Sequence, residues 1–219
     1  MQDIIQKEHT TAVFDMDGVI IDSGPLHMEA WQIILNIHGI EVPNEKFRKA
    51  FGMRDSEVVP HLIGIMADEA IAELMKEKSI MFQEIVSDKA TPVEGIVEYI
   101  QILQSENIGT ALASLATAEE IDTVLEKVGL KDMLNIVVTR DNTMRDKPAP
   151  DIYLTAAYRL GIEPTTTVVF EDAVSGIEAA RKAGTTTVAV TTSHDRGELS
   201  HADIVVDNFK EPVLIQLFQ

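Results

Sequence analysis

Short runs of β-branched and other apolar residues recur along this chain, at 11–14, 110–114, 136–139, 168–171, 187–191 and 204–206. Each is bounded by polar or turn residues. Runs of this length suit strands buried on both faces of a parallel sheet. Between them lie amphipathic stretches with helical spacing, at 94–105, 119–128, 151–160 and 175–183. Alternating strand and helix predicts an α/β fold, a doubly wound parallel sheet with helices on its faces.

One stretch breaks the alternation. From 25 to 89 the pattern is helical throughout, with Trp31, Ile34, Leu35 and His38 at helical spacing and Asn44 and Asp55 as candidate N-caps. A helix over 68–86 would carry Ile71, Leu74, Met75, Lys78 and Phe82 along one side. The expected organisation is a core of residues 1–22 and 93–219, with a small α-helical domain, 23–92, inserted after the first strand. Pro25 and Pro92 stand near its junctions. Met28, Met66, Met75 and Met81 are expected to fill the interior of the insert rather than line a groove.

The balance of charge limits the partners. The formal net charge is −18, which repels nucleic acid and anionic lipid, so neither is expected as a partner. No run approaches the roughly 18–20 apolar residues of a membrane span, and residues 1–10 do not read as a signal peptide. The absence of cysteine excludes disulfides and thiolate chemistry and fits a reducing compartment. A chain this acidic can handle an anionic substrate only with local positive charge, from a metal ion or a few placed lysines and arginines.

Candidate groups sit at the ends of the strands. Asp15-Met16-Asp17-Gly18 closes the first run, where an open α/β sheet places its ligand crevice. Two carboxylates one residue apart can converge on a hard, oxygen-liganded cation, or form only a polar turn that caps a helix. The spacing does not fit an EF-hand loop, whose glycine is the sixth residue. A second acidic pair, Glu171-Asp172, closes the run 168–171 and opens a helix; alone it could serve only as favourable charge at a helix start. Together the two clusters would repel each other, and a shared divalent cation is the economical resolution. Lys147, in Asp146-Lys147-Pro148-Ala149-Pro150-Asp151, is expected in a segment held extended by its prolines. Its ammonium could neutralise a phosphoryl group, or remain a solvated loop lysine. Ser114 could donate to a phosphate oxygen or serve as a turn serine.

These elements, in this order, resemble the haloacid dehalogenase superfamily of phosphohydrolases and phosphomutases. The resemblance rests on Phe14-Asp15-Met16-Asp17-Gly18-Val19-Ile20-Ile21-Asp22-Ser23, Ser114, Lys147-Pro148-Ala149-Pro150-Asp151 and Phe170-Glu171-Asp172-Ala173-Val174-Ser175-Gly176, and spans residues 10–210. It implies a Rossmann-like catalytic core with a helical cap. It further implies Asp15 as a nucleophile forming an aspartyl-phosphate, Asp17 as general acid and base, and Ser114 and Lys147 gripping the phosphoryl group. Magnesium would be held by Asp15, the Asp17 carbonyl and Asp172, with Glu171 as a ligand or behind the ligands. In the cap, the resemblance points to His27 and Lys78 as substrate-facing residues, and Arg54 could meet a distal phosphate or hydroxyls.

The expected activity is a magnesium-dependent, cytoplasmic phosphatase for a small phosphorylated metabolite, a sugar or polyol phosphate, acting as a monomer or small homo-oligomer. A β-phosphoglucomutase-like phosphosugar mutase is the alternative. Against it, Asp55 occupies the position of the mutase's cap arginine, and Leu115-Ala116-Thr117-Ala118 after Ser114 lacks the mutase's asparagine. A non-catalytic binding protein on the same fold is a remote alternative. A dehalogenase is disfavoured because that branch needs neither the second aspartate nor magnesium.

Overall fold

The computed structural model describes residue 4 and residues 8–50 and 55–219. In chain order, β1 (Thr11–Phe14) is followed by four helices, α1 (Gly24–Ile37), α2 (Asn44–Ala50), α3 (Asp55–Ile63) and α4 (Asp68–Lys89). The alternating part then runs α5 (Ile96–Ser105), β2 (Gly109–Ala113), α6 (Ala118–Lys127), β3 (Ile136–Val138), α7 (Asp151–Leu160), β4 (Thr167–Glu171), α8 (Val174–Ala183), β5 (Thr186–Val190) and β6 (Ile204–Val206). Asn44 and Asp55 are the first residues within their helices. The chain forms two compact units, residues 1–22 with 91–219 and residues 23–90.

In the first unit, six parallel strands form one sheet in the order β3-β2-β1-β4-β5-β6. Succession along the sheet reverses direction at β1 and β4, so the loops that leave these two strands diverge and open a crevice at their carboxyl ends. Alternation along each strand sorts side chains to two faces. Val13, Ala111, Ala113, Val138 and Val169 lie on one face with Ile152, Tyr153, Ala156, Ala179 and Ala180 from α7 and α8. Small residues on these helices let their backbones approach the sheet. Phe14 and Phe170 are stacked with centroids 4.8 Å apart, and Tyr99 and Phe209 close around Phe170 at 5.6 and 5.5 Å. The segments that leave β1 and re-enter before α5 run side by side: the Asp22 amide donates to Thr91 O (3.4 Å) and the Val93 amide to Ile20 O (3.0 Å).

The second unit has its own interior. Trp31, Ile34 and Leu35 of α1 pack with Phe47, Ala50, Val58, Val59, Leu62 and Leu74. Met28, Met66, Met75 and Met81 all pack against this cluster, as expected for flexible side chains that fill irregular gaps. Pro25 lies in the first turn of α1, where its missing N–H costs no helical bond. Among the described residues, no helix is long and apolar enough to cross a membrane.

Replacing Phe170 by alanine should empty the centre of the aromatic cluster and cost about 3–5 kcal/mol, read from urea unfolding. Tyr158→Ala on exposed α7 surface should change stability by no more than about 0.5 kcal/mol.

Candidate active site

The candidate residues are placed by strand register. Phe14 pairs with Phe170, and the Asp15 amide donates to Phe170 O (3.0 Å), so Asp15 leaves β1 beside Glu171 leaving β4. The chain then turns sharply: the Ile20 and Ile21 amides return to Met16 O (2.9 and 3.2 Å) and the Gly18 amide to Ile21 O (2.8 Å). This turn carries Asp17. Gly18 has φ +70°, and a Cβ there would lie 1.8 Å from Asp172 Oδ2. Glycine is required on both counts, because the Asp172 carboxylate rests directly on the turn.

Lys147 arrives from a tight turn rather than an extended segment. The Ala149 amide donates back to Asp146 O (2.9 Å), the Lys147–Pro148 peptide is cis, and Arg145 grips Asp151 with two hydrogen bonds (3.2 and 2.6 Å). Those bonds fold the segment back on itself, which proline spacing alone did not reveal. The Lys147 ammonium donates to Asp15 Oδ1 (2.7 Å) and Glu171 Oε1 (2.6 Å). Burial alone would discharge it. The charges of Asp15 and Glu171 outweigh that effect and hold its pKa well above the ordinary lysine value.

Glu171 is fully buried. Its Oε1 accepts from Lys147 and from the Tyr153 hydroxyl, and its Oε2 accepts the amides of Asp172 (3.0 Å) and Ala173 (3.2 Å). Four donors fill the lone-pair directions of this carboxylate. A Cβ on residue 176 would lie 1.8 Å from Glu171 Oε1, so Gly176 is the residue that lets Glu171 fold over the start of α8.

Asp15, Glu171 and Asp172 each offer a carboxylate oxygen within 4.8 Å of the others. With Lys147 on Asp15 Oδ1 and Glu171 saturated, Asp15 Oδ2 and Asp172 Oδ1 accept no hydrogen bond among the described residues. The pKa of Asp15 is pushed up to about 7, chiefly by burial, with Lys147 opposing and Glu171 and Asp17 adding repulsion. Asp172 is driven well above the carboxylate range by burial and then by Glu171 and Asp15, against the Ser193 hydroxyl. Buried carboxylates that one ammonium does not neutralise are a donor set suited to a hard divalent cation. Asp15 and Asp172 would hold it, with Glu171 behind them.

Ser114 follows β2, one register step beyond Asp15. Its Oγ accepts the Ala116 amide (3.1 Å), and its own proton meets no acceptor among the described residues. A capping box between Thr117 and Glu120 fixes the start of α6 and so the length of this turn.

In the helical unit, His27 on α1 and Lys78 on α4 meet: Lys78 Nζ lies 2.7 Å from His27 Nδ1. An ammonium can only donate, so Nδ1 accepts. The His27 ring stacks on Phe82 at 3.9 Å, and Lys78 Nζ lies 5.0 Å from the Phe82 centroid and 5.8 Å from that of Trp31. Arg54 lies outside the described residues.

Sequence reading missed Tyr153, Thr192 and Ser193. The Tyr153 hydroxyl donates to Glu171. Its sequence signal is a tyrosine on the buried face of the helix opened by Asp151, since a buried hydroxyl needs a partner. Thr192 and Ser193 reach Asp172 from beyond β5. A polar run directly after a strand, like those bearing Asp15 and Asp172, was the available clue.

Comparison with known proteins agrees with this architecture. A family model described as haloacid dehalogenase-like hydrolase matches residues 12–190. The chain is 30% identical to validoxylamine A 7'-phosphate phosphatase of Streptomyces hygroscopicus subsp. limoneus, over 93% of this chain and 95% of that one. It is 34% identical to the fructose-1-phosphate phosphatase YqaB of Escherichia coli, over 84% and 97% respectively. Among solved structures, a HAD hydrolase of family IA, variant 3, from Entamoeba histolytica has a similar fold, with TM-score 0.85, 24% identity and coverage of 97% and 98%.

The raised carboxylate pKa values give a pH-dependent stability with a definite sign. A carboxyl held at about 7 in the fold against 3.8 outside it contributes stability that is complete below the lower value and lost as pH rises through the upper. Asp172 shifts in the same direction. The cation-free protein should therefore lose melting temperature between about pH 4 and pH 7. A saturating hard divalent cation, which needs the ionised carboxylates, should raise Tm more at the higher pH. Equal shifts at both pH values would place the cation elsewhere.

Proposed function

This chain belongs to the haloacid dehalogenase-like hydrolase family and is a phosphohydrolase, and we propose that it hydrolyses a small sugar or polyol phosphate through an aspartyl-phosphate on Asp15. The observation that carries this reading is the Lys147 ammonium bridging Asp15 and Glu171 at 2.7 and 2.6 Å, beside Asp172 in a buried acidic cluster. A phosphate dianion cannot approach a bare carboxylate cheaply, and Lys147 supplies fixed positive charge at the attacking atom. The named activities of the two phosphatase relatives, on validoxylamine A 7'-phosphate and on fructose 1-phosphate, support the substrate class.

In this mechanism an Asp15 oxygen attacks phosphorus while the ester oxygen leaves, taking a proton from the Asp17 carboxyl. Asp17, now ionised, accepts a proton from the water that attacks the aspartyl-phosphate, and phosphate departs with the Asp15 carboxylate restored. Lys147 and the Ser114 hydroxyl hold phosphoryl oxygens through both steps, and covalent capture divides one hard displacement into two easier ones. Magnesium held by Asp15, the Asp17 carbonyl and Asp172 would supply further positive charge to the transferring group. Glu171, anchored by Tyr153 and two amides, fixes the lysine. In the same reading, residues 1–22 and 93–219 form the catalytic part and 23–92 a helical cap, and the substrate is a small cytoplasmic metabolite.

Hydrolysis is favoured over a mutase because the turn directly after Ser114 offers no free side-chain donor for a second phosphate. The side chains of Leu115, Ala116 and Ala118 carry no donor, and that of Thr117 is committed to its capping box with Glu120.

The test is phosphate release from a panel of sugar and polyol phosphates, with and without magnesium. Asp17→Asn should lower kcat by about 100- to 10,000-fold, Lys147→Ala by about 100- to 1,000-fold, and Asp15→Asn should abolish turnover. Conversion of a hexose 1-phosphate to its 6-phosphate without net phosphate release would replace hydrolysis with the mutase reaction. Activity surviving in Asp15→Asn would remove the covalent mechanism.

A further inference from the structure

The loop that follows β5 holds Asp172 through its side chains. The Ser193 hydroxyl lies 2.5 Å from Asp172 Oδ2. His194 Nδ1 lies 2.9 Å from Ser193 Oγ and 3.0 Å from the Asp172 carbonyl. Thr192 Oγ1 lies 2.5 Å from the Gly18 carbonyl and 3.4 Å from Asp172 Oδ2. Ser193 Oγ is also 3.1 Å from Asp172 O.

Proton counting fixes the polarity of this chain of contacts. The cation-bound state needs an ionised Asp172, and the single hydrogen of a serine hydroxyl then has that carboxylate as both its nearer and its stronger acceptor. Ser193 therefore donates to Oδ2. The Asp172 carbonyl can only accept, and the Ser193 oxygen, its proton spent, can accept as well. Both neighbours of His194 Nδ1 thus call for hydrogen on that nitrogen. The sequence of groups looks like a nucleophilic serine with its base, but the direction is reversed: histidine donates to serine, and serine donates to aspartate. A serine activated for attack would have to give its proton to the ring.

The consequence falls on Asp172. Its Oδ2 is pinned over Gly18, so the carboxylate cannot rotate, and Oδ1 is the oxygen left for a ligand. Thr192 spends its proton on the Gly18 carbonyl and ties the same loop to the turn that carries Asp17. One segment therefore sets the spacing of the turn after β1 and the acid after β4.

We infer that Ser193, oriented by His194, is a positioning residue that presents Asp172 to the divalent cation, with Thr192 fixing the adjacent turn; this rests on the magnesium-dependent reading above. Partners behind a metal ligand usually govern affinity by about 10- to 100-fold.

Isothermal calorimetry with magnesium chloride, on the full-length parent and variants, tests this without relying on turnover. Ser193→Ala should weaken magnesium binding about 10- to 100-fold, and Ser193→Thr, which keeps the hydroxyl, should retain most of the affinity. His194→Ala should bind more weakly than the parent, and His194→Asn, whose amide N–H stands where Nδ1–H does, should recover the loss. The histidine pair carries the test if Ser193→Ala does not fold. Parent-like affinity in Ser193→Ala, or failure of the conservative variants to restore binding, would overturn this role and leave the phosphatase reading intact. A parent that binds no magnesium would overturn both.

Discussion

A buried ammonium shared by two carboxylates is the interaction on which this site depends. Lys147 enters a space from which water is largely excluded, where an unpaired charge is costly. Asp15 and Glu171 make that charge tolerable, and Lys147 in turn lets two buried acids lie side by side. Their roles still differ. Glu171 has all its acceptor directions filled, by Lys147, Tyr153 and the first amides of the segment entering α8. Asp15 keeps one oxygen uncommitted. The same lysine therefore anchors on an acid that is structurally finished and is delivered to one that remains available for chemistry.

The network needs three chain segments to arrive at one point, and the sheet order provides this. β1 and β4 are neighbours at the place where strand succession reverses, so Asp15 and the Glu171-Asp172 pair emerge into one crevice. Ser114 comes from the next strand on one side of β1. Thr192 and Ser193 come from the next strand beyond β4. Two glycines complete the fit. Gly18 and Gly176 lie where a methyl group would overlap the carboxylates of Asp172 and Glu171, so each acid packs against main chain that has no side chain to displace it.

The site also accounts for how so acidic a chain can handle phosphate. The −18 formal charge describes the molecule as a whole, whereas a reacting group responds to the charges within a few ångströms. There, Lys147 supplies one positive charge and the remaining carboxylates form a donor set that a hard cation fits. Buried acids held above their ordinary pKa are the cost of that arrangement without the cation.

Much of the fold was legible in the sequence because it is encoded locally. Apolar runs too short for helices, separated by amphipathic stretches, specify strands buried on both faces and hence the parallel sheet; all six runs are strands. The strandless stretch likewise marked the helical unit, and its methionines pack where apolar, flexible side chains should. The acids at strand ends and the lysine among prolines were visible as candidates for the same reason: residue type and position along the chain sufficed. Which groups meet was decided only by the tertiary structure. Lys147 bonds a carboxylate 132 positions away, and periodicity records which way a residue faces, not which strand lies beside it. The four donors on Glu171, the part played by Tyr153 and the hold of Ser193 on Asp172 all follow from strand order and register. Those are set by the packing of the whole sheet, and no local stretch of sequence carries them.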